Sequence, residues 1–76
     1  MIDAKKFGKQ LSYLRRKAHL KQHDIAKKCF ISVQAVSKWE RGQCSPNILM
    51  LDDLASVLGV EIKDLFEDEQ HREIDK

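Results

Sequence analysis

Gln22-His-Asp-Ile25-Ala26-Lys-Lys-Cys29-Phe30-Ile-Ser32-Val33-Gln34-Ala-Val36-Ser37-Lys38-Trp39-Glu40-Arg41-Gly42 is the stretch that decides the fold. It reads as two short helices joined by a tight turn. The first runs from about Gln22 to Cys29, with Ile25, Ala26 and Cys29 turned inward. The second follows Ser32, a good N-cap, and turns Val36 and Trp39 inward. Gly42 ends it, since glycine accepts the left-handed conformation that closes helices.

The same spacing extends outward on both sides. Phe7, Leu11, Leu14 and Ala18 recur at helical intervals, which predicts an amphipathic first helix capped by Asp3. Ser45-Pro46 gives the cap-plus-proline signal for a fourth helix. Its expected stripe is Ile48, Leu51, Leu54, Ala55 and Leu58, with Gly59 as the stop. A short fifth helix near Ile62 to Phe66 should add Ile62 and Leu65 to the core. No segment alternates like a strand, so the fold class is all-α. Residues 1–66 are expected to form one domain and 67–76 a polar C-terminal tail, frayed or helical.

Size and composition narrow the function. The chain has 76 residues, of which 42% are hydrophobic and 34% charged. A domain this small buries only about 60% of its unfolded surface, which leaves little room for an enzyme pocket. No apolar run approaches the roughly 20 residues that span a bilayer. The first residues lack a signal-peptide pattern, so a cytoplasmic location is expected. Two cysteines, Cys29 and Cys44, are too few for a disulfide framework or a zinc site. Asp52, Asp53, Asp64 and the Glu67–Glu69 run read as a solvated acidic face, and no metal, cofactor or small-molecule effector is implied.

Charge is unevenly distributed. Up to Arg41, eleven Lys and Arg stand against three acids, a local charge of +8; from Gly42 on, three stand against nine, giving −6. A basic half suits a polyanion, because neutralising phosphates releases counterions.

Five compact helices, with the second and third as a helix-turn-helix, resemble the phage-repressor and Cro-like DNA-binding family, also called XRE. The lambda-repressor-like resemblance covers about Phe7 to Phe66. It rests on Leu14-Arg15, Gln22, Ile25-Ala26, Ser32, Val36-Ser37, Trp39-Glu40-Arg41-Gly42, Pro46, Leu51, Leu54-Ala55, Leu58-Gly59-Val60 and Leu65. The Val-Ser-Lys-Trp-Glu-Arg-Gly run followed by Pro46 is its most specific part. The resemblance implies that Arg15 and Glu40 form a structural ion pair tying the first helix to the end of the third. Three positions depart from the family pattern. His19 and Phe30 stand where glycine or another residue tolerant of positive φ is usual. For phenylalanine this means either strain of about 1–2 kcal/mol or a different turn. Lys21 replaces a Ser or Thr cap, a loss of about 1 kcal/mol that Asp24 partly offsets through the helix dipole.

The resemblance also assigns the third helix to the DNA major groove. Its outward residues Val33, Gln34, Ser37 and Lys38 are the expected base contacts. Gln34 suits adenine, Lys38 guanine and Val33 a thymine methyl group, while Ser37 is adaptable. Lys21, Gln22, Ser32, Arg41 and Gln43 are the expected phosphate contacts. Leu49 and Met50, off the stripe of the fourth helix, are expected to form an apolar patch with Phe66 and Ile74 for homodimerisation. The implied partner is double-stranded DNA with a near-palindromic operator. The implied function is a transcriptional regulator, a repressor by preference. The competing class is a protein-interaction module on the same fold, partner-binding or antitoxin-type.

Overall fold

In the computed structural model, residues 3–66 are described. The elements are α1 (Ala4–Lys17), α2 (Gln22–Cys29), α3 (Val33–Glu40), α4 (Ile48–Leu58) and a 3-10 turn at Ile62–Phe66. The fold is all-α among these residues, with four α-helices and not five. The expected fifth helix is the 3-10 turn. Five residues cannot build the repeated i→i−4 bonds of an α-helix beyond a single turn. Asp64 closes the segment from inside by accepting the Glu61 N–H at 3.0 Å.

Side-chain caps start three helices. Asp3 accepts the N–H groups of Lys5 and Lys6, Ser32 that of Ala35, and Asn47 that of Met50. The start of α4 therefore lies at Asn47, two residues beyond the Ser45-Pro46 signal. Ser45 and Asn47 are comparable caps. Pro46 decides between them because its ring is buried, so it serves as an anchor and not as the first turn. At α2 the cap position holds Lys21, whose side chain makes no capping bond. Instead Asp24 reaches back to the Lys21 N–H at 2.8 Å. That is half of the reciprocal capping box.

All four helices end alike. His19, Phe30, Gly42 and Gly59 all have positive φ, between 58° and 77°. At each, paired 6→1 and 5→2 backbone bonds close the last turn. They are Leu20→Arg15 with His19→Arg16, Ile31→Ala26 with Phe30→Lys27, Gln43→Lys38 with Gly42→Trp39, and Val60→Ala55 with Gly59→Ser56. This is the Schellman closure. Following three of these stops, Leu20, Ile31 and Val60 pack against the core. The turns after α1 and α2 thus take the left-handed residue that Gly42 and Gly59 supply after α3 and α4, with histidine and phenylalanine in place of glycine. The phenylalanine carries strain of about 1–2 kcal/mol.

The core unites Phe7, Leu11, Leu14, Ile25, Ala26, Cys29, Val36, Trp39, Leu51, Leu54, Ala55, Leu58 and Leu65. Three residues expected in it lie outside. Ala18 is exposed because α1 has already ended beneath it. Ile48 is 79% exposed and Ile62 42% exposed. With α4 starting at Ile48, that residue projects ahead of the stripe that Leu51 begins. Met50, expected off the stripe, is half-buried and packs on the core. Gln10 was not anticipated inside; it is buried and donates its amide to the Asp64 carbonyl at 2.9 Å. The tail 67–76, with Ile74, lies outside the described residues.

Candidate nucleic-acid interface

The surface of α3 follows from its eight residues. At about 100° per residue, Val33, Ser37, Gln34 and Lys38 occupy one arc of about 140°. Ala35, Trp39, Val36 and Glu40 occupy the opposite arc. Burial divides the helix the same way. Val36 and Trp39 are buried, while Val33, Gln34 and Lys38 are exposed and Ser37 is half-buried. The four residues expected at base edges are therefore presented together on a single outward face. A hydroxyl, an amide and an ammonium group lie beside one apolar side chain.

The acid in α3 is removed from that face. Arg15 Nε donates to Glu40 Oε2 at 2.6 Å and Arg15 Nη2 to Oε1 at 3.1 Å, a bidentate pair between α1 and α3. Arg15 Nη1 also donates to the Leu20 carbonyl at 3.0 Å. Gln22 Nε2 donates to Glu40 Oε1 at 3.0 Å. Glu40 thus collects three N–H donors from two residues, and its side chain is 6% exposed. Charge-assisted, bidentate contacts of this kind are the strong ones. They hold the α1, α2 and α3 junction at one geometry, which sets how far α3 stands out from the body. They also cancel the single negative charge on α3, so its outward face is net positive.

Gly8 makes that junction possible. A Cβ there would sit 2.7 Å from the Glu40 carbonyl oxygen and closer still to that of Trp39. Helix α1 therefore crosses the end of α3 at backbone contact. Neither Gly8 nor Gln10 was found from the sequence as a contributor. A glycine within an otherwise regular amphipathic helix was the available signal for the first. The second had none, since its partner lies 54 residues away.

Around α3 stand the residues expected at phosphates. Lys21 is exposed and Gln22 half-buried at the N-terminal end of α2, where free N–H groups favour an anion. The Gln22 amide is engaged with Glu40, so this residue offers its main-chain N–H outward more than its side chain. Ser32 is exposed, with its hydroxyl oxygen capping α3. Arg41 and Gln43 are exposed beyond the far end of α3. Arg41 Nε donates to the Ser37 carbonyl at 3.3 Å, which lays its guanidinium along the helix. Elsewhere, Cys29 is buried and Cys44 exposed. Burial, and secondarily the charge of Asp53, raises the Cys29 thiol pKa. Among the described residues no His, Cys, Asp or Glu cluster suits a metal ion, and no helix is long and apolar enough to cross a membrane.

The patch expected for dimerisation is rearranged. Leu49 is 81% exposed and Ile48 lies beside it, whereas Met50 faces the core. Pro46, Ile48, Leu51, Ile62 and Phe66 line an apolar groove of about 430 Å³. Ile48 and Ile62 thus replace Met50 in the exposed surface that includes Phe66.

Known proteins resemble this chain in sequence and fold. A family model described as helix-turn-helix matches residues 11–65. The chain is 39% identical over 62 residues to the HTH-type transcriptional regulator DdrOP3 of Deinococcus deserti, covering 82% of this chain. It is 33% identical over 64 residues to the HTH-type transcriptional activator BcrR of Enterococcus faecalis, covering 84% of this chain. The chain spans 48% and 31% of the length of those two relatives. An HTH-type regulator of Methanocaldococcus jannaschii is 35% identical over 57 residues, and there the match covers 75% of this chain and 86% of the relative. Among solved structures, the restriction-modification controller protein C.AhdI of Aeromonas hydrophila superposes with a TM-score of 0.80 at 33% identity. That match covers 84% of this chain and 97% of the controller. The two-faced α3, the Arg15–Glu40 tie beneath it and these matches agree: the chain belongs to the phage-repressor and Cro-like (XRE) helix-turn-helix family of DNA-binding transcriptional regulators.

Proposed function

We propose that the protein binds a near-palindromic double-stranded DNA operator as a homodimer and represses transcription from it. The observation that carries this reading is the outward arc of α3. Gln34 and Lys38 are free there to make bidentate contacts with adenine and guanine edges, and Val33 can meet a thymine methyl group. Ser37 lies between them. Lys21, the N-terminal amides at Gln22 and Ser32, and Arg41 with Gln43 flank this arc and fix its register on the phosphates. One helix of eight residues reads too few bases for high specificity. A two-fold dimer places two such helices about 34 Å apart, in successive major grooves. The exposed Ile48, Leu49, Ile62 and Phe66 surface supplies the apolar area for that dimer. Repression needs nothing more than occupancy, since a dimer seated across a promoter excludes polymerase.

The test is selection from random oligonucleotides with the purified protein, followed by binding to the enriched site at two salt concentrations. A near-palindromic motif, weakened by Gln34→Ala and by salt, supports the reading. Absence of enrichment, or binding indifferent to Gln34 and Lys38, favours the protein-interaction module. A reporter carrying the enriched site gives the direction of control. Higher expression with the protein present would replace repression with activation, the activity named for BcrR.

A further inference from the structure

Phe30 is the most exposed large apolar residue among the described residues. It is 94% exposed, and its backbone is left-handed, with φ 58° and ψ 44°. Burial normally repays a phenyl ring, and glycine normally serves the left-handed stop of a helix. Gly42 and Gly59 do so after α3 and α4. At position 30 the chain accepts both penalties together. Nothing among the described residues returns them: the rings that meet are Phe7 and Phe66, 5.7 Å apart.

The position of the ring is well defined. The Phe30 N–H bonds to the Lys27 carbonyl and the Ile31 N–H to that of Ala26, while Ile31 packs on the core. The backbone at Phe30 is thus pinned from both sides, and the ring is held out. Ser32 caps α3 two residues later, and Val33 opens that helix. Three residues of chain reach at most about 11 Å, which keeps Phe30 within that distance of Val33 at the N-terminal end of α3. Both are apolar and both exposed. The surroundings of the ring are cationic: Lys27 and Lys28 in the last turn of α2 are exposed, and no exposed acid lies between Lys27 and Lys38. A cationic setting for a bare aromatic ring fits a polyanion that also carries apolar groups. Major-groove DNA meets that description, through phosphates outside and thymine C5-methyl groups within. An apolar protein surface by itself supplies no counter-charge for the lysines.

We propose that Phe30 is a second apolar reader, packing against a thymine C5-methyl group adjacent to the one met by Val33. This rests on the DNA-reading assignment of α3. It adds to that assignment a specificity position in the turn, before the helix starts.

The experiment removes one methyl group at a time. Each thymine of the selected site is replaced singly by deoxyuracil, and binding is measured for the wild type, Phe30→Asn and Val33→Ala. Asparagine accepts the left-handed backbone, so Phe30→Asn should melt no lower than the wild type. At one position the wild type should lose about fivefold in affinity on removal of the methyl group. Phe30→Asn should show a similar loss with thymine in place and be indifferent to its replacement there, while Val33→Ala remains sensitive. Wild-type affinity in Phe30→Asn, or equal sensitivity of both proteins to uracil at every position, would overturn the proposal. If the wild type selects no site, or Gln34→Ala leaves the selected site unchanged, the underlying DNA reading fails first. That result is visible before any Phe30 variant is assayed, and it removes both.

Discussion

Gly8 of α1 and Glu40 of α3 meet backbone to backbone, with room for a hydrogen but not a methyl group between them. Gly8→Ala therefore tests the junction beneath α3. On an isolated helix alanine would gain about 1 kcal/mol over glycine. Here the carbonyl oxygens of Trp39 and Glu40 cannot yield as a flexible side chain would. Overpacking of this kind costs about 1–3 kcal/mol or more. The net expectation is a loss of stability with a melting temperature several degrees lower, measured by thermal denaturation. An increase would show that α1 can move off α3.

Arg15 and Glu40 provide a second test. Arg15→Met leaves Glu40 buried with Gln22 as its remaining side-chain donor. Removing one member of a buried pair costs about 3–5 kcal/mol. The double variant Arg15→Met with Glu40→Leu should recover a large part of that loss, because no uncompensated charge remains. A denaturant series across the four proteins of the cycle measures this. Additive losses would show that the two groups act independently.

Lys21 trades stability against binding. It occupies a cap position that it cannot cap, and it is exposed beside the α2 N-terminus. Lys21→Ser should stabilise the fold by about 1 kcal/mol. If Lys21 neutralises a phosphate, the same change should weaken binding and reduce the slope of log affinity against log salt by about 0.9 for each phosphate lost. Greater stability with an unchanged slope would leave Lys21 without a phosphate.

The two thiols should differ in chemistry. Cys44 is exposed and Cys29 buried, so a thiol reagent should modify Cys44 in the folded protein and Cys29 only on unfolding. Burial first, and then Asp53, raises the Cys29 pKa. A raised pKa favours the neutral thiol in the fold, so its contribution is complete below the unfolded value of about 8.5 and is lost as pH rises above it. Unfolding measured from pH 7 to 10 should show a decline that Cys29→Ala reduces. Equal decline in both proteins would assign it to other groups.

How far the sequence discloses this molecule depends on the range of each interaction. The ends of α3 and α4 at Gly42 and Gly59 were legible because a glycine stop is local. So was the division of α3 into two faces, since eight residues and a 3.6-residue period determine it. Ile48 was misplaced because Ser45 and Asn47 cap equally well, and only the docking of Pro46 into the body separates them. The 3-10 turn at Ile62–Phe66 differs from the expected α-helix because its apolar spacing fits either helix over a single turn. Gln10 stayed hidden because a buried amide looks like a surface one until its partner is known. For the interface, residue types and spacing indicated which side chains face outward. They did not reveal that the Gln22 amide is drawn inward to Glu40, or which of the two alternatives at Phe30 holds and that its ring stands in solvent.

The amide of Gln10 on the Asp64 carbonyl closes the chain like a clasp. It fastens the first helix to the last described element, and Leu65 is seated in the core next to it. A short 3-10 segment has little cohesion of its own, so it stays docked by that amide, by Leu65 and by the Phe66 ring against Phe7. The clasp is therefore the natural place for the domain to open by parts, at lower free energy than global unfolding. It would expose the underside of α1 while α2 and α3 remain paired. In this design the α2–α3 pair is insulated from the breathing of the domain's perimeter.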